Sequence, residues 1–351
     1  MKGLTKTIMK NLYFIVGLLH ISLLISCNNR NQSDKTFDAN SNVIDVNELI
    51  VPIIIEDPLL SSFSVPYVIN DYLIMTDTKS YDSLIHIFDN KNFQHIKSFG
   101  EQGNGPTEIA NLVGLIINEN NNSFYVIDYG KEGLMAYPID SILSNPEYIP
   151  NNRNIFNKRQ VPLKTYLISD SLSYALCAKV SETSEYKPVT SKLNLYTGDI
   201  SYLKHEGHPD IKRKRVSMAA SRENNLFVEA YWHHELLSFC SLDGSLKYYV
   251  YGKNWDSKTQ NSELYFDDIV FCKNKLFVSY WGGERFVKKF GEITTNDPDK
   301  LLVFDIMGNH LHTLNVSKPI INMCYDEINN RIIFAFDDEI QFGYLDISKW
   351  L

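Results

Sequence analysis

The sequence lacks most of what a common catalytic site needs. Its 351 residues hold five cysteines, at 27, 177, 240, 272 and 324, with no C-x-x-C pair among them. A zinc ribbon or a thioredoxin-like redox motif is therefore not expected, and the four cysteines after Cys27 read as buried thiols, with disulfide pairing left open. Gly-x-Ser-x-Gly and HExxH are also missing, which removes the common hydrolase elbow and the zincin helix. Positive charge is short: 34 Lys and Arg stand against 42 Asp and Glu, a formal net charge of −8. That balance argues against a nucleic-acid partner. Beyond the N-terminus there is almost no long segment of 3.6-residue period, so helical solenoids are excluded.

What is present begins with Lys2, Lys6 and Lys10 ahead of an apolar run from Leu12 to Leu24, shorter than the roughly 20 residues that cross a bilayer. The run closes on Leu24-Ile25-Ser26-Cys27, a bacterial lipobox. Residues 1–26 read as a cleaved signal peptide, with Met1 or Met9 as the start, and Cys27 as the lipid attachment residue. Acyl chains there would hold the protein to the cell envelope, at the outer membrane, on its periplasmic or its outer surface. Removing the signal takes the charge from −8 to −11, which argues against a second contact with anionic lipid. Residues 27–42 are polar and Asn-rich and read as a flexible tether. From Val43 to Leu351 the chain is long enough, and at 44% hydrophobic overall apolar enough, for one large folded domain.

A short apolar strand introduced by Asn or Asp recurs along that domain: Leu73-Ile74-Met75, Phe124-Tyr125-Val126, a degenerate copy near Leu172-Ser173-Tyr174, Leu226-Phe227-Val228, Leu276-Phe277-Val278 and Ile332-Ile333-Phe334. The steps are 51, 48, 54, 50 and 56 residues. A second strand follows each copy, with an aromatic near its end, at Phe88, Tyr137, Tyr196, Phe239, Phe304 and Tyr344. Units of this length and patterning predict an all-β, six-bladed β-propeller with four-stranded antiparallel blades. The last unit ends at its third strand. The apolar stretch Leu49 to Ile55 is the spare strand that would complete it and close the ring.

From Asp82 to Glu108 the chain reads DSLIHIFDNKNFQHIKSFGEQGNGPTE. This strand and its Ser98-Phe99-Gly100 to Pro106-Thr107-Glu108 loop resemble the TolB-like six-bladed propeller lipoproteins of the Bacteroides group. The resemblance implies the fold and an envelope location, and it carries over no catalytic residue. In the loop, Gly103 and Gly105 read as positions permitting positive φ, with Asn104 and Glu108 satisfying backbone amides at a crossover between blades.

In a propeller, outer-to-inner crossovers and second-to-third loops share one face. That puts Gly103, Asn104 and Glu108 on a rim with Asp77, Asp82, Asp128, Lys131, Trp232, His233, Trp281 and Arg285, the candidate ligand face. Aromatics beside polar groups suit a sugar or a peptide. His233-His234-Glu235 suggests a metal site, but strand geometry would let only His233 and Glu235 converge, so no metal is expected. His205-Glu206-Gly207-His208 and Lys212-Arg213-Lys214-Arg215 read as solvated connections. The expected role is a lipid-anchored, non-catalytic binding module without a cofactor, for an envelope protein or glycan. The alternative is a sugar-lactone hydrolase holding Ca²⁺ in the channel through Asp77, Asp128 and Glu229.

Overall fold

The computed structural model describes residues 34–154, 162–180, 186–258, 262–289, 291–295 and 297–351. Cys27, the lipobox and the expected signal peptide lie outside the described residues.

Six antiparallel sheets follow one another along the chain. Blade 1 is Val65–Ile69, Tyr72–Thr76, Ile85–Asp89 and His95–Phe99, from inner to outer strand. Blade 2 runs from Leu112 to Asn154, blade 3 from Pro162 to Tyr202, and blade 4 from Val216 to Gly252. Blade 5 runs from Glu263 to Asn315 and carries an inserted hairpin, Phe286–Lys289 with Glu292–Thr295, between its second and third strands. Blade 6 supplies three strands between Ile320 and Asp346, and Val51–Pro52 pairs antiparallel with the third, as Gly343↔Pro52 and Tyr344↔Val51. The spare N-terminal strand does complete the last blade.

The apolar triplet that repeats in the sequence is the second strand of each blade. In blades 4 and 6 every residue of that strand is buried, because neighbouring blades cover both of its faces. A continuous apolar run, rather than alternation, is the pattern such burial requires. Among the described residues six apolar clusters form, one at each interface between adjacent blades. The seam between blades 6 and 1 holds Ile53, Leu73, Phe88, Ile333 and Phe342. A polar staple adds to it: Arg331 Nε donates to Asp326 Oδ2 at 2.7 Å, Asn90 Nδ2 to the same oxygen at 3.0 Å, and the guanidinium lies over the rings of Phe93 and Tyr344.

Residues 35–42, part of the segment whose composition reads as a flexible tether, are built into the fold. Lys35–Phe37 pairs parallel with Val250–Gly252 as a fifth strand on blade 4, and Val43–Asp45 pairs parallel with Thr313–Asn315 on blade 5. Phe37 is the cause: it is buried at the blade 4–5 interface, edge-on to Phe304 at 5.3 Å. One aromatic and a borrowed sheet edge order a segment that is polar on average. Cys177, Cys240 and Cys272 are buried and Cys324 half-buried; all four are free thiols on different blades.

Candidate functional site

The predicted ligand-face residues lie on the blade 1–2 crossover, in second-to-third loops or, for Asp128 and Trp281, near the ends of second strands, on what is here the upper face, but they separate into two sectors.

Between blades 1 and 2 the polar groups are consumed by the fold. Asp77, buried, accepts from the Ser61 backbone N–H at 2.7 Å, the Ser61 hydroxyl at 2.8 Å and the Lys79 N–H at 2.8 Å. Asp128, also buried, does the same for Ala110, Asn111 and Gly130, at 2.8, 2.9 and 2.9 Å. Each aspartate ends the second strand of its blade and ties down the crossover that arrives beside it. The glycine-rich loop folds around Glu108, whose Oε2 accepts from the Gly105 N–H at 2.6 Å. Lys131 Nζ donates to the carbonyls of Gly105 and Glu108, both at 2.6 Å. Neither Gly103 nor Gly105 adopts a positive φ, contrary to the sequence expectation; Gly100 does, at +77°. Glycine is needed at 103 for proximity, since a Cβ there would meet Glu108 Oε2 at 2.0 Å. Asn104 and Asp82 are exposed.

Between blades 4 and 5 the structure does the opposite. Trp232, His233, Trp281 and Arg285 come together around a cavity of about 400 Å³, joined by Arg213, Arg215, Leu264, Phe266 and Asp267. The loops are fixed by backbone bonds: Trp232 N–H to Arg215 O at 2.9 Å, Tyr265 N–H to Trp232 O at 2.7 Å, and Arg285 N–H to Ser262 O at 2.9 Å. Trp232 Nε1 donates to Ser217 Oγ at 2.8 Å, and His233 Nδ1 lies 2.9 Å from the Glu263 carbonyl, which requires the proton on Nδ1. Gly282 and Gly283 take φ of +79° and +141° just after Trp281, near the end of the second strand, a backbone conformation other residues resist. Among the described residues, neither Arg213 nor Arg215 has an ion-pair partner.

The run Lys212 to Arg215 is thus not a solvated connection throughout. Lys214 turns inward and is buried, its Nζ 2.6 Å from Glu229 Oε1, while Arg213 and Arg215 on either side line the cavity. Glu229 also accepts from Thr190 Oγ1 at 2.6 Å and Ser238 Oγ at 3.3 Å. Burial alone would raise its carboxyl, but Lys214, with His205 and these donors, holds it below the usual range.

The inner strand of blade 5 carries a bulge between Phe266 and Ile269, leaving two consecutive carboxylates at the top of the channel. Asp268 forms an ion pair with Lys164 of blade 3 and accepts from Met323 N–H of blade 6 at 3.0 Å, crossing the channel. Asp267 faces the cavity. Burial, with the adjoining Asp268 charge, pushes its carboxyl up to about 7. Beside this cavity, and sharing Arg215 and Trp232 with it, lies a second hollow of about 540 Å³ whose lining includes Val113, Leu163, Leu176, Ala178, Pro188 and Val216.

The residues behind the metal readings are engaged within the fold. Residues 232–235 form a turn rather than a strand, and their side chains diverge: His234 Nδ1 reaches Asp256 O at 3.0 Å, and Glu235 accepts from Tyr280 and from the Asn254 N–H. His205 and His208 are not a solvated turn either. His205 is buried near Glu229, and His208 packs against Tyr249, Tyr251 and Trp255. Asp77, Asp128 and Glu229 spend their oxygens on three separate sets of protein donors, which Ca²⁺ would have to displace. No group of three or more His, Cys, Asp or Glu is gathered for a metal ion among the described residues.

Residues 41–152 match the sequence profile of the DUF5128 family, described as a 6-bladed beta-propeller. No curated protein matches the sequence. Among solved structures, a member of the DUF4221 family from Bacteroides vulgatus is similar over 84% of this chain and 94% of its own, with a TM-score of 0.59 and 13% identity. A protein of Bacteroides fragilis named as a candidate exported protein is similar over 86% of this chain and 87% of its own, with a TM-score of 0.54 and 11% identity. At such identity the likeness is one of fold. The chain is a six-bladed β-propeller of four-stranded blades, similar in architecture to these two Bacteroides proteins.

Proposed function

We propose that this protein is a lipid-anchored envelope propeller that binds an acidic glycan in the cavity between blades 4 and 5, without catalysing a reaction on it. The observation that carries the reading is the convergence of Arg213, Arg215 and Arg285 with Trp232 and Trp281 around one cavity. Guanidinium groups match carboxylate, sulfate and phosphate oxygens, and each charge-assisted bond contributes about 1.5–3 kcal/mol. Indole faces suit the apolar face of a sugar ring. In a chain of net charge −8, gathering arginines at one cavity focuses attraction for an anion there. The anchor rests on the lipobox ending at Cys27, and the exported description of the Bacteroides fragilis neighbour is in keeping with it.

Calorimetric titration of the purified chain with oligogalacturonate, and with a neutral oligosaccharide of equal length, tests the binding reading. The expected result is saturable binding of the acidic sugar that weakens as salt is raised. Equal binding of the neutral sugar, or none of either, overturns it. Mass spectrometry of the mature N-terminal peptide tests the anchor: an unmodified Cys27 would remove it.

A further inference from the structure

The second hollow is not accounted for by an acidic sugar. It lies against blades 2, 3 and 4, and the apolar side chains of Val113, Leu163, Leu176, Ala178, Pro188 and Val216 dominate its wall. Leu163 is 49% exposed there, at the start of the inner strand of blade 3. The one basic residue on the wall besides Arg215 is Lys164, which is already neutralised by Asp268 across the channel. The hollow therefore offers apolar contact and little that would hold an anion. It also shares two residues with the arginine cavity, Arg215 and Trp232. Both volumes, about 400 and about 540 Å³, fall within the range of small-ligand sites.

We infer that the occupant is an anionic amphiphile: a ligand whose acidic head sits among the arginines and whose aliphatic or aryl portion crosses the Arg215–Trp232 wall into the second hollow. This rests on the binding reading above and extends it by assigning the ligand a second, apolar part. Charge complementarity fixes the head end, because the arginines line only one side of the shared wall apart from Arg215 itself. The tail end follows from burial, since each methylene removed from water there adds about fourfold to the affinity.

The test is a series of alkyl β-D-glucuronides from methyl to octyl, below their micelle concentrations, titrated into the full chain alongside octyl β-D-glucoside. Affinity is expected to rise with chain length by about fourfold per buried methylene until the hollow is filled, with octyl glucoside far weaker than octyl glucuronide. Leu163→Asp should abolish the chain-length gain and leave methyl glucuronide binding unchanged, and Ala178→Phe should do the same by filling the hollow. Any apolar N-terminal segment is common to all variants, so their difference reports the hollow. A flat series with methyl glucuronide still bound overturns this inference and leaves the acidic-glycan reading standing. Failure of every glucuronide to bind overturns this inference, and the oligogalacturonate titration decides the acidic-glycan reading separately. Octyl glucoside binding as tightly as octyl glucuronide removes the anionic head from the assignment, and a chain-length gain that survives both variants removes the hollow.

Discussion

The two crossovers flanking the upper face make an instructive pair. The one from blade 1 to blade 2 is rich in glycine and carries Glu108; the one from blade 3 to blade 4 carries four consecutive basic residues. In the first, the charges around the loop are spent on backbone groups, the exposed Glu101 apart: Glu108 holds a backbone amide, and from blade 2 Lys131 holds two carbonyls and Asp128 holds the arriving strand. In the second, only Lys214 turns inward, and Arg213 and Arg215 remain at a cavity wall without an ion-pair partner among the described residues. Distinctive sequence and functional site need not coincide. A motif whose groups satisfy one another maintains shape, whereas groups left without internal partners are available to something else.

The sharpest way to break this comparison lies within the tetrapeptide itself. Lys214→Met should destabilise the protein by about 3–5 kcal/mol, because it strands the buried Glu229 charge, and the double variant Lys214→Met/Glu229→Leu should recover most of that in chemical denaturation. Arg215→Ala, one residue on, should leave denaturation within about 0.5 kcal/mol of the parent yet weaken oligogalacturonate binding by about 1.5–3 kcal/mol. If both variants simply unfold the protein, the distinction between them is lost. Glu108→Ala should cost about 1–2 kcal/mol of stability, for the unmade bond to Gly105, with no change in glycan affinity.

The remaining comparison is a pH dependence. Because the Asp267 carboxyl titrates near 7 in the folded chain and near 3.8 ordinarily, the folded chain keeps a proton over that range that the unfolded chain has released. Its contribution to stability therefore falls as pH rises from about 4 to about 7 and is flat above that. Asp267→Asn should melt higher than the parent at pH 8 and nearly equal to it at about pH 3. The same ionisation places a negative charge at the arginine cavity, so anion affinity should drop between pH 6 and pH 8 in the parent and drop less in the variant.

The blade count was legible because burial on both faces demands an uninterrupted apolar strand, and the 51-residue spacing of those strands survives in the sequence. So was the identity of the closing strand, since Leu49 to Ile55 had no other apolar partner. The strap at Lys35–Phe37 was not legible, because its order depends on Phe37 meeting Phe304, 267 positions away. The site divides in the same way. Trp232, His233, Trp281 and Arg285 could be placed on one face by topology alone. Arg213 and Arg215 could not be separated from Lys214 without knowing where Glu229 points, and Asp267 reaches the cavity through a bulge that leaves no mark in composition. Asp77 and Asp128 look like ligand-binding residues in the sequence because capping a crossover and holding a ligand call for the same side chain.

The strand at Val51–Pro52 joins a partner about 290 residues further along the chain. During synthesis this strand, made early, lacks its partner until Gly343 and Tyr344 have emerged. Long-range pairing of this kind slows folding. The ring consequently closes late, when Val51–Pro52 meets the third strand of blade 6, and a chain stopped short of Tyr344 would leave that segment unpaired.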